Sequence, residues 1–460
     1  MSIKIIVLNC FFYCFVIKHP EYNPLLREVN MGYFLKVLLI SFSIISISNV
    51  SKAEVTYSCW NCMMLDIDGE GNPGGARVDY NAASGVDLNV SAYPYPDYLQ
   101  TLQLNMISGT SDDLMAFQVG SMISTYAEFL EDLTPYCEKE WGSNWKDKFL
   151  TVGIDQTTVD GKLVALPQVM SAAGALWYNQ TILDKFNLSA PTNWEEWISV
   201  SNTLKDNGII GFMHGAKDSW INYDMFIGIA NELNPGIIYE AEAGNASWTH
   251  DSLVKAMSLW GEMFSNGIMQ EGALGNSQYP DTHQAFTSGK AAMMTMGTWN
   301  NFSTFTNEGL NGSKSSYGFS EDFKYGITGL PDMNGDGKHG RLFASPDVSI
   351  GMSASSSNKE EAWKALKVII EDLQPTYAKD LWVPSMNGVP FDMSDATSDF
   401  AKEALNYELG MIANAYGKRE FIYAEIKTAL GDAMQNVAVG NMTAMEAMEM
   451  VEKASQSVKR

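Results

Sequence analysis

Charge is scarce in this chain, and basic charge most of all. Only 18% of the 460 residues are Asp, Glu, Lys or Arg, and 30 Lys+Arg face 54 Asp+Glu for a formal net charge of −24. That balance excludes a nucleic-acid binder, which needs a basic stripe against phosphate, and it excludes docking on anionic lipid. Histidine and cysteine are rare too, at five each. The histidines are scattered singly, so spacing assembles no zinc site from them. Signatures of familiar catalysts are missing: there is no Gly-x-Ser-x-Gly elbow, no His-Glu-x-x-His and no Walker loop. Gly289-Lys290 sits in Ser-Gly-Lys-Ala, without the upstream glycine or the following Ser/Thr. No internal repeat stands out.

What is present is apolar and aromatic. Hydrophobic residues make up 46% of the chain and aromatics 12%, enough for a substantial core and too apolar for a disordered acidic chain. The length predicts two or three domain-sized units. Most of the 26 methionines fall at buried-looking helix or strand positions, such as Met293, Met294 and Met296, and read as core filling. Adjacent acids such as Asp112/Asp113 and Glu195/Glu196 point to different helix faces and read as solvated charge. The two carboxylates of a glycosidase come from distant positions, so a secreted carbohydrate-active hydrolase stays open as an alternative.

Residues 1–53 read as a leader. Met31 to Lys36 opens a run, Val37 to Ile47, that is almost wholly apolar and too short to span a bilayer comfortably, and Ser51-Lys52-Ala53 supplies a small-residue exit. The expected product begins at Glu54, with an uncleaved anchor as the alternative. A signal placed thirty residues inside a chain suggests that translation starts at Met31. Removing 1–53 takes away five basic and two acidic residues, which leaves 25 against 52 and a net charge of −27. Cys59 and Cys62 have the Cys-x-x-Cys spacing of a local disulfide, a spare thiol pair or a redox pair. Thr56-Tyr-Ser before Cys59 is a poor lipidation context, so the exported protein is expected to be periplasmic and free of a lipid anchor.

Two loops carry oxygens at calcium-loop spacing. Asp332, Asn334 and Asp336 occupy positions one, three and five with Gly337 at six, but Phe343 stands where a bidentate Glu is needed. Asp66, Asp68 and Glu70 repeat the pattern, with Arg77 at position twelve. Both are weak candidates; no metal and no cofactor is expected.

Strand and helix signals alternate along the rest, which predicts α/β layers. Val86–Ala92 alternates as a half-buried strand and Leu114–Phe117 reads as a buried one. Leu99, Leu102, Met106 and Ile107 keep helical spacing before a Gly109 cap, and Met122, Ile123, Tyr126, Phe129 and Leu133 line one expected helix face. Capping boxes are expected at Thr192–Glu195, Ser357–Glu360 and Thr443–Glu446.

Three segments in order carry a resemblance. Val164-Ala-Leu-Pro167 precedes Gly174-Ala-Leu-Trp-Tyr178-Asn179 and Pro191-Thr-Asn-Trp194-Glu-Glu196. Ala285-Phe286-Thr-Ser-Gly289-Lys290-Ala-Ala-Met293 then runs into Met296-Gly297-Thr-Trp299. From about Val86 to Val451 the chain resembles the extracellular solute-binding proteins of ABC importers, in the sugar-binding family 1 that includes maltodextrin-binding protein. The resemblance implies an α/β, two-lobed periplasmic binding protein fold with a ligand cleft between lobes and hinge crossings. It places lobe one at 54–167 and 328–375 and lobe two at 168–327 and 376–460, with hinge crossings at Val164–Pro167 and Tyr325–Pro331. It implies a non-enzymatic monomer that carries a sugar or oligosaccharide to ABC permease transmembrane subunits. Within the same fold a polyol, glycerophosphodiester or polyamine is the alternative ligand.

Sugar rings present apolar C–H faces to aromatic rings and hydroxyls to paired polar groups. On the family pattern Trp299 is the leading platform, with Trp220 and Trp60 as further ones and Tyr423 in a late helix, where Ile422 replaces an aromatic found in some members. Gln118 and Ser121 follow the Leu114–Phe117 strand at the lobe-one rim. Asp347 in Ala344-Ser-Pro-Asp347 takes two sugar hydroxyls or caps a turn. Ser171-Ala-Ala173 departs from members that carry an acidic ligand contact there, which leaves the identity of the sugar open.

Overall fold

A computed structural model describes residues 54–60, 84–307, 319–320, 322–415 and 417–460, all within one compact unit, Ala53–Arg460. The leader, Cys62 and the Asp66–Glu70 loop lie outside the described residues. In chain order the strands of the two main sheets are β1 (Glu54–Trp60), β2 (Asp87–Tyr93), β3 (Leu114–Phe117), β4 (Leu166–Ala173), β5 (Ala175–Asn179), β6 (Ile210–Met213), β7 (Ala291–Met296), β8 (Tyr325–Gly329), β9 (Phe343–Met352) and β10 (Val383–Pro384). The first sheet has the order β10-β4-β9-β3-β1-β2, and the second β8-β5-β7-β6. β1 runs parallel to β2 and β3, whereas β9 is antiparallel to both β3 and β4.

Strand character follows burial. β3, β4 and β7 are buried at every position; β3 is an unbroken apolar run, while β4 carries Gln168 and Ser171 and β7 carries Thr295 among apolar residues. β2 alternates instead, as an edge strand with one wet face does. Met293, Met294 and Met296 lie on β7 at 1% exposure or less, as core filling requires. The helices used below are α1 (Tyr95–Ser108), α2 (Thr151–Gln156), α3 (Trp194–Asp206), α4 (Ser219–Leu233), α5 (Asp251–Ser265), α6 (Asp399–Ile412), α7 (Ala424–Ala438) and α8 (Ala444–Ser457). Gly109 ends α1 in the left-handed region, at φ 69°. Thr443 and Glu446 close a reciprocal capping box on α8.

Two other caps shift. On α3 the cap is Asn193, which accepts the Glu196 N–H, while the Glu196 carboxylate reaches back to Thr192. Before Lys359 the cap is Asn358, with no side-chain bond. The helix face expected from Met122 to Leu133 is broken: the helix stops at Tyr126, Leu130 extends to bridge Ser353, and a new helix begins at Thr134. Pro135 in its first turn favours that restart.

Strand pairing shows where the chain passes between the two sheets. β4 and β9 pair from Ala173↔Phe343 to Leu166↔Ile350, so residues 168–173 belong to the first sheet and the chain leaves it at Gly174. Tyr325–Gly329 is a strand of the second sheet, and the return spans 330–342. β10 pairs with β4 in the first sheet, and Asn387 donates to the Lys148 and Phe149 carbonyls. The β4–β9 ribbon therefore runs through three apolar clusters. Leu166, Val169, Ile350 and Met352 belong to the first-lobe core, Ala173 and Phe343 to a second, and Ala172 and Ala344 to a third.

Candidate ligand site at the junction of the lobes

Trp299 lies just beyond β7. A Cβ at Gly297 would overlap the Trp299 ring, so the Gly-x-Trp spacing is a packing requirement. The half-buried indole packs against all three apolar clusters, which puts it at the seam between lobes. Its Nε1 donates to the Tyr279 hydroxyl at 3.1 Å. Trp220, in the first turn of α4, meets Trp299 edge to face at 6.0 Å and stacks on Tyr279 at 6.3 Å.

Against these rings lies a buried guanidinium. Arg419 Cζ is 4.5 Å from the Trp299 ring centre and 5.9 Å from that of Trp220, a cation–π arrangement worth more where water is excluded. Its Nε and Nη2 donate to the two oxygens of Asp224, on α4, at 2.9 and 3.0 Å. This fork-on-fork geometry is the strongest form of the pair. Nη1 lies 3.5 Å from Asp347 Oδ1, and the Arg419 amide donates to Ser345 Oγ at 2.8 Å. Burial alone would lower the affinity of the guanidinium for its proton, but Asp224 reverses that and holds it raised. Burial pushes the carboxyls of Asp224 and Asp347 up, and Arg419 opposes both shifts.

Asp347 sits at an irregularity where β9 shifts register against β4, between Pro346 and Val348. Such bulges re-aim a side chain. Its Oδ1 accepts from Ser171 Oγ at 3.2 Å as well as facing Arg419, so the carboxylate is fixed by a neighbouring strand and does not cap a turn. Ser171, which departs from the acidic contact of some family members, is what holds this acid in place.

The first lobe supplies the opposite wall. Trp60, at the end of β1, meets Tyr95 edge-on at 5.5 Å, and Tyr95 donates from its hydroxyl to Gln118. Burial raises the Tyr95 phenol, with Glu420 and Asp347 adding to the shift and Arg419 opposing it. Ser121 is at the seam in a different role: its amide donates to the Phe421 carbonyl at 2.6 Å. A Cβ on the preceding Gly120 (φ +72°) would come within 2.5 Å of that same carbonyl.

The structure thus joins Trp299, Trp220 and Asp347 through Arg419, joins Trp60 and Gln118 through Tyr95, and puts Ser121 at the contact between lobes. Tyr423 is placed differently. It precedes α7, packs on the second core, and takes the Arg460 guanidinium at 5.5 Å from its ring. Sequence reasoning missed Arg419, Asp224, Tyr279 and Tyr95. For Arg419 the available signal was scarcity, since the chain has five arginines.

A cavity of about 720 Å³ also opens at the seam, lined by Gly120, Gln156, Tyr239, Lys418, Glu420 and Ile422 among others. Its one aromatic ring is Tyr239, so it lacks the paired flat faces of the Trp299 side. The Asp332 loop is spent internally. Asp332 accepts the backbone N–H groups of Asn334, Gly335 and Gly337, and Asp336 holds Arg341 at 2.6 Å. A calcium ion there would have to displace a guanidinium and three amides. Among the described residues no group of three or more His, Cys, Asp or Glu is arranged to hold a metal. Cys59 is disulfide-bonded, and burial raises the free thiol of Cys137.

Residues 72–372 match the family profile described as bacterial extracellular solute-binding protein. The chain belongs to this family. A putative binding protein of Brucella abortus (strain 2308) is 25% identical over 289 residues, 62% of this chain and 65% of that relative, so the chain spans just under two thirds of its length. A galactooligosaccharide-binding protein of Bacillus subtilis (strain 168) is 24% identical over 383 residues, covering 81% of this chain and 82% of the relative. Among solved structures, maltose-bound T. maritima MalE3 superposes with a TM-score of 0.68 at 20% identity, over 88% of this chain and 99% of that one. That likeness shows the two-lobed α/β fold. The relatives in the comparison are named as binding proteins, and among the described residues of this solute-binding protein no helix is long and apolar enough to cross a membrane.

Proposed function

We propose that this solute-binding protein is the exported, non-enzymatic receptor of an ABC importer, and that it binds a sugar or oligosaccharide between its lobes. One observation carries the reading: Trp299, Trp220 and Tyr279 form an aromatic wall at the seam, beside a guanidinium already committed to Asp224. Flat apolar faces next to fixed hydrogen-bonding groups are what a pyranose needs. Trp60 and Gln118 would close on the sugar from the first lobe, Ser121 would sit at the closing contact, and Asp347 would take hydroxyls. Tyr423, held by Arg460, would contribute least. Lobe closure around the ligand is the working motion, and the closed face is presented to the permease. The receptor would act as a free monomer in the periplasm, after loss of residues 1–53.

Thermal melting against mono- and oligosaccharides, with a reducing-end assay on the same mixtures, tests this. A sugar-dependent rise in melting temperature without new reducing ends supports it. Turnover would make the protein a hydrolase, and a rise with polyamines or glycerophosphodiesters alone would remove the carbohydrate assignment.

A further inference from the structure

The site carries a charge asymmetry that narrows the ligand class; the inference rests on the carbohydrate reading above. Arg419 is committed to Asp224 by two hydrogen bonds, and Glu420 is paired with Lys427 at 2.7 Å. Asp347 is the acid left over. Its Oδ1 accepts from Ser171 and faces an Arg419 already spent, at 3.5 Å. Among the described residues its Oδ2 accepts no hydrogen bond, and the side chain keeps 15% exposure. Taken together, Arg419, Lys427, Asp224, Glu420 and Asp347 carry one net negative charge, against a half-buried indole wall.

We propose that Asp347 is the specificity-determining residue of this site, and that it selects a saccharide bearing a free amine over neutral and carboxylated ones. An ammonium on the sugar ring would place one N–H on the open oxygen and its charge beside aromatic rings, both favourable at low dielectric. A uronate would put a second anion against an acid that has no cation to spare. A neutral sugar offers only a hydroxyl, and the hydrogen bond it makes to the carboxylate gains no charge from the ligand. Ser171 and Arg419 are positioning residues: they fix Oδ1 so that Oδ2 faces the ligand.

Calorimetry on the full chain tests this with matched glucose- and galactose-type mono- and disaccharides in three forms: neutral, free amine and uronate. The amine form is expected to bind about tenfold tighter than the neutral form, through the charge–charge attraction that an ammonium adds to the hydrogen bond on the carboxylate, and the uronate weakest. Asp347→Asn keeps the shape and removes the charge; it is expected to bring amine and neutral forms to within about twofold. Arg419→Lys, which keeps the positive charge but loses the fork that holds Asp224 and Asp347, is expected to weaken both forms together. Neutral sugars binding as tightly as amines would overturn this inference while leaving the carbohydrate receptor standing. An amine preference that survives Asp347→Asn would overturn it as well. Silence to every saccharide would overturn both.

Discussion

Removing Asp224 should be the most damaging single change near the site, because it strands a buried cation. Asp224 and Arg419 are both almost fully buried, at 5% and 6% side-chain exposure. The pair is bidentate, and among the described residues the guanidinium has Asp347, at 3.5 Å, as its remaining hydrogen-bond partner. Asp224→Ala deletes the two shortest bonds and leaves a charge in a low-dielectric pocket lined by Trp299 and Trp220. Breaking a buried pair in this way costs about 3–5 kcal/mol. Replacing both members, as in Asp224→Leu with Arg419→Met, removes the stranded charge and should recover most of that loss, since apolar substitutes for buried pairs are often near neutral. The assay is urea unfolding of wild type, both single variants and the double variant, read as a double-mutant cycle. A coupling of several kcal/mol between the sites is expected. A single-variant loss below about 1 kcal/mol, the range of an exposed pair, would refute the argument that this ion pair holds the floor of the site.

Trp299→Ala should leave the circular dichroism spectrum intact and weaken sugar binding by about thirtyfold or more, the loss of a central aromatic anchor; an unchanged affinity by calorimetry would remove Trp299 from the site. Gly120→Ala adds a Cβ within 2.5 Å of the Phe421 carbonyl, at φ +72°, so it should cost about 1–2 kcal/mol in strain and hold the lobes apart. Small-angle scattering with saturating ligand should then report a larger radius than wild type, and identical radii would contradict the contact. Burial raises Glu408 to about 8, with only an Asn301 amide lowering it. It is therefore protonated in the fold, and its stabilising share is present below the unfolded value of 4.5 and lost as pH rises towards about 8. Glu408→Gln should then stabilise the protein by about 3 kcal/mol at pH 7 and by little at pH 4, and equal effects at both would refute it. Burial lowers His214 to about 4, so its neutral ring contributes above the ordinary 6.5 and loses that contribution as acid is added, a loss that His214→Gln should blunt in acid melting curves.

The layers were legible because burial dictates them. β3 and β7 are buried on both faces and therefore almost wholly apolar, Thr295 excepted, a pattern visible in Leu114–Phe117 and Ala291–Met296 alone. Trp299 was legible because a glycine two residues earlier must make room for its ring. The sheet that residues 168–173 join was not legible, because a buried strand does not state its partners; only the pairing of β4 with β9 does. Arg419 escaped for a related reason. Its partners stand 195 and 72 residues away, and no local spacing encodes a pair of that reach. Tyr423 was placed by analogy to a helix position, whereas the chain end decides it, through Arg460 on its ring.

The deficit of basic residues acquires a meaning once the buried charges are followed one by one. A carboxylate out of water needs a cation, a set of amides or a proton. Asp224 has Arg419, Glu232 has Arg341, and Glu242 has Lys418. Asp332 is held by backbone N–H groups, and Glu408 keeps a proton. Two of the chain's five arginines are thus spent on these buried acids, while the surplus carboxylates stay on the surface, where charge serves solubility. Asp347 breaks the pattern. It is largely buried, and it shares a cation that Asp224 already claims and that packs on two tryptophans. On the proposed reading a ligand amine completes the pairing of Asp347, as a proton does for Glu408.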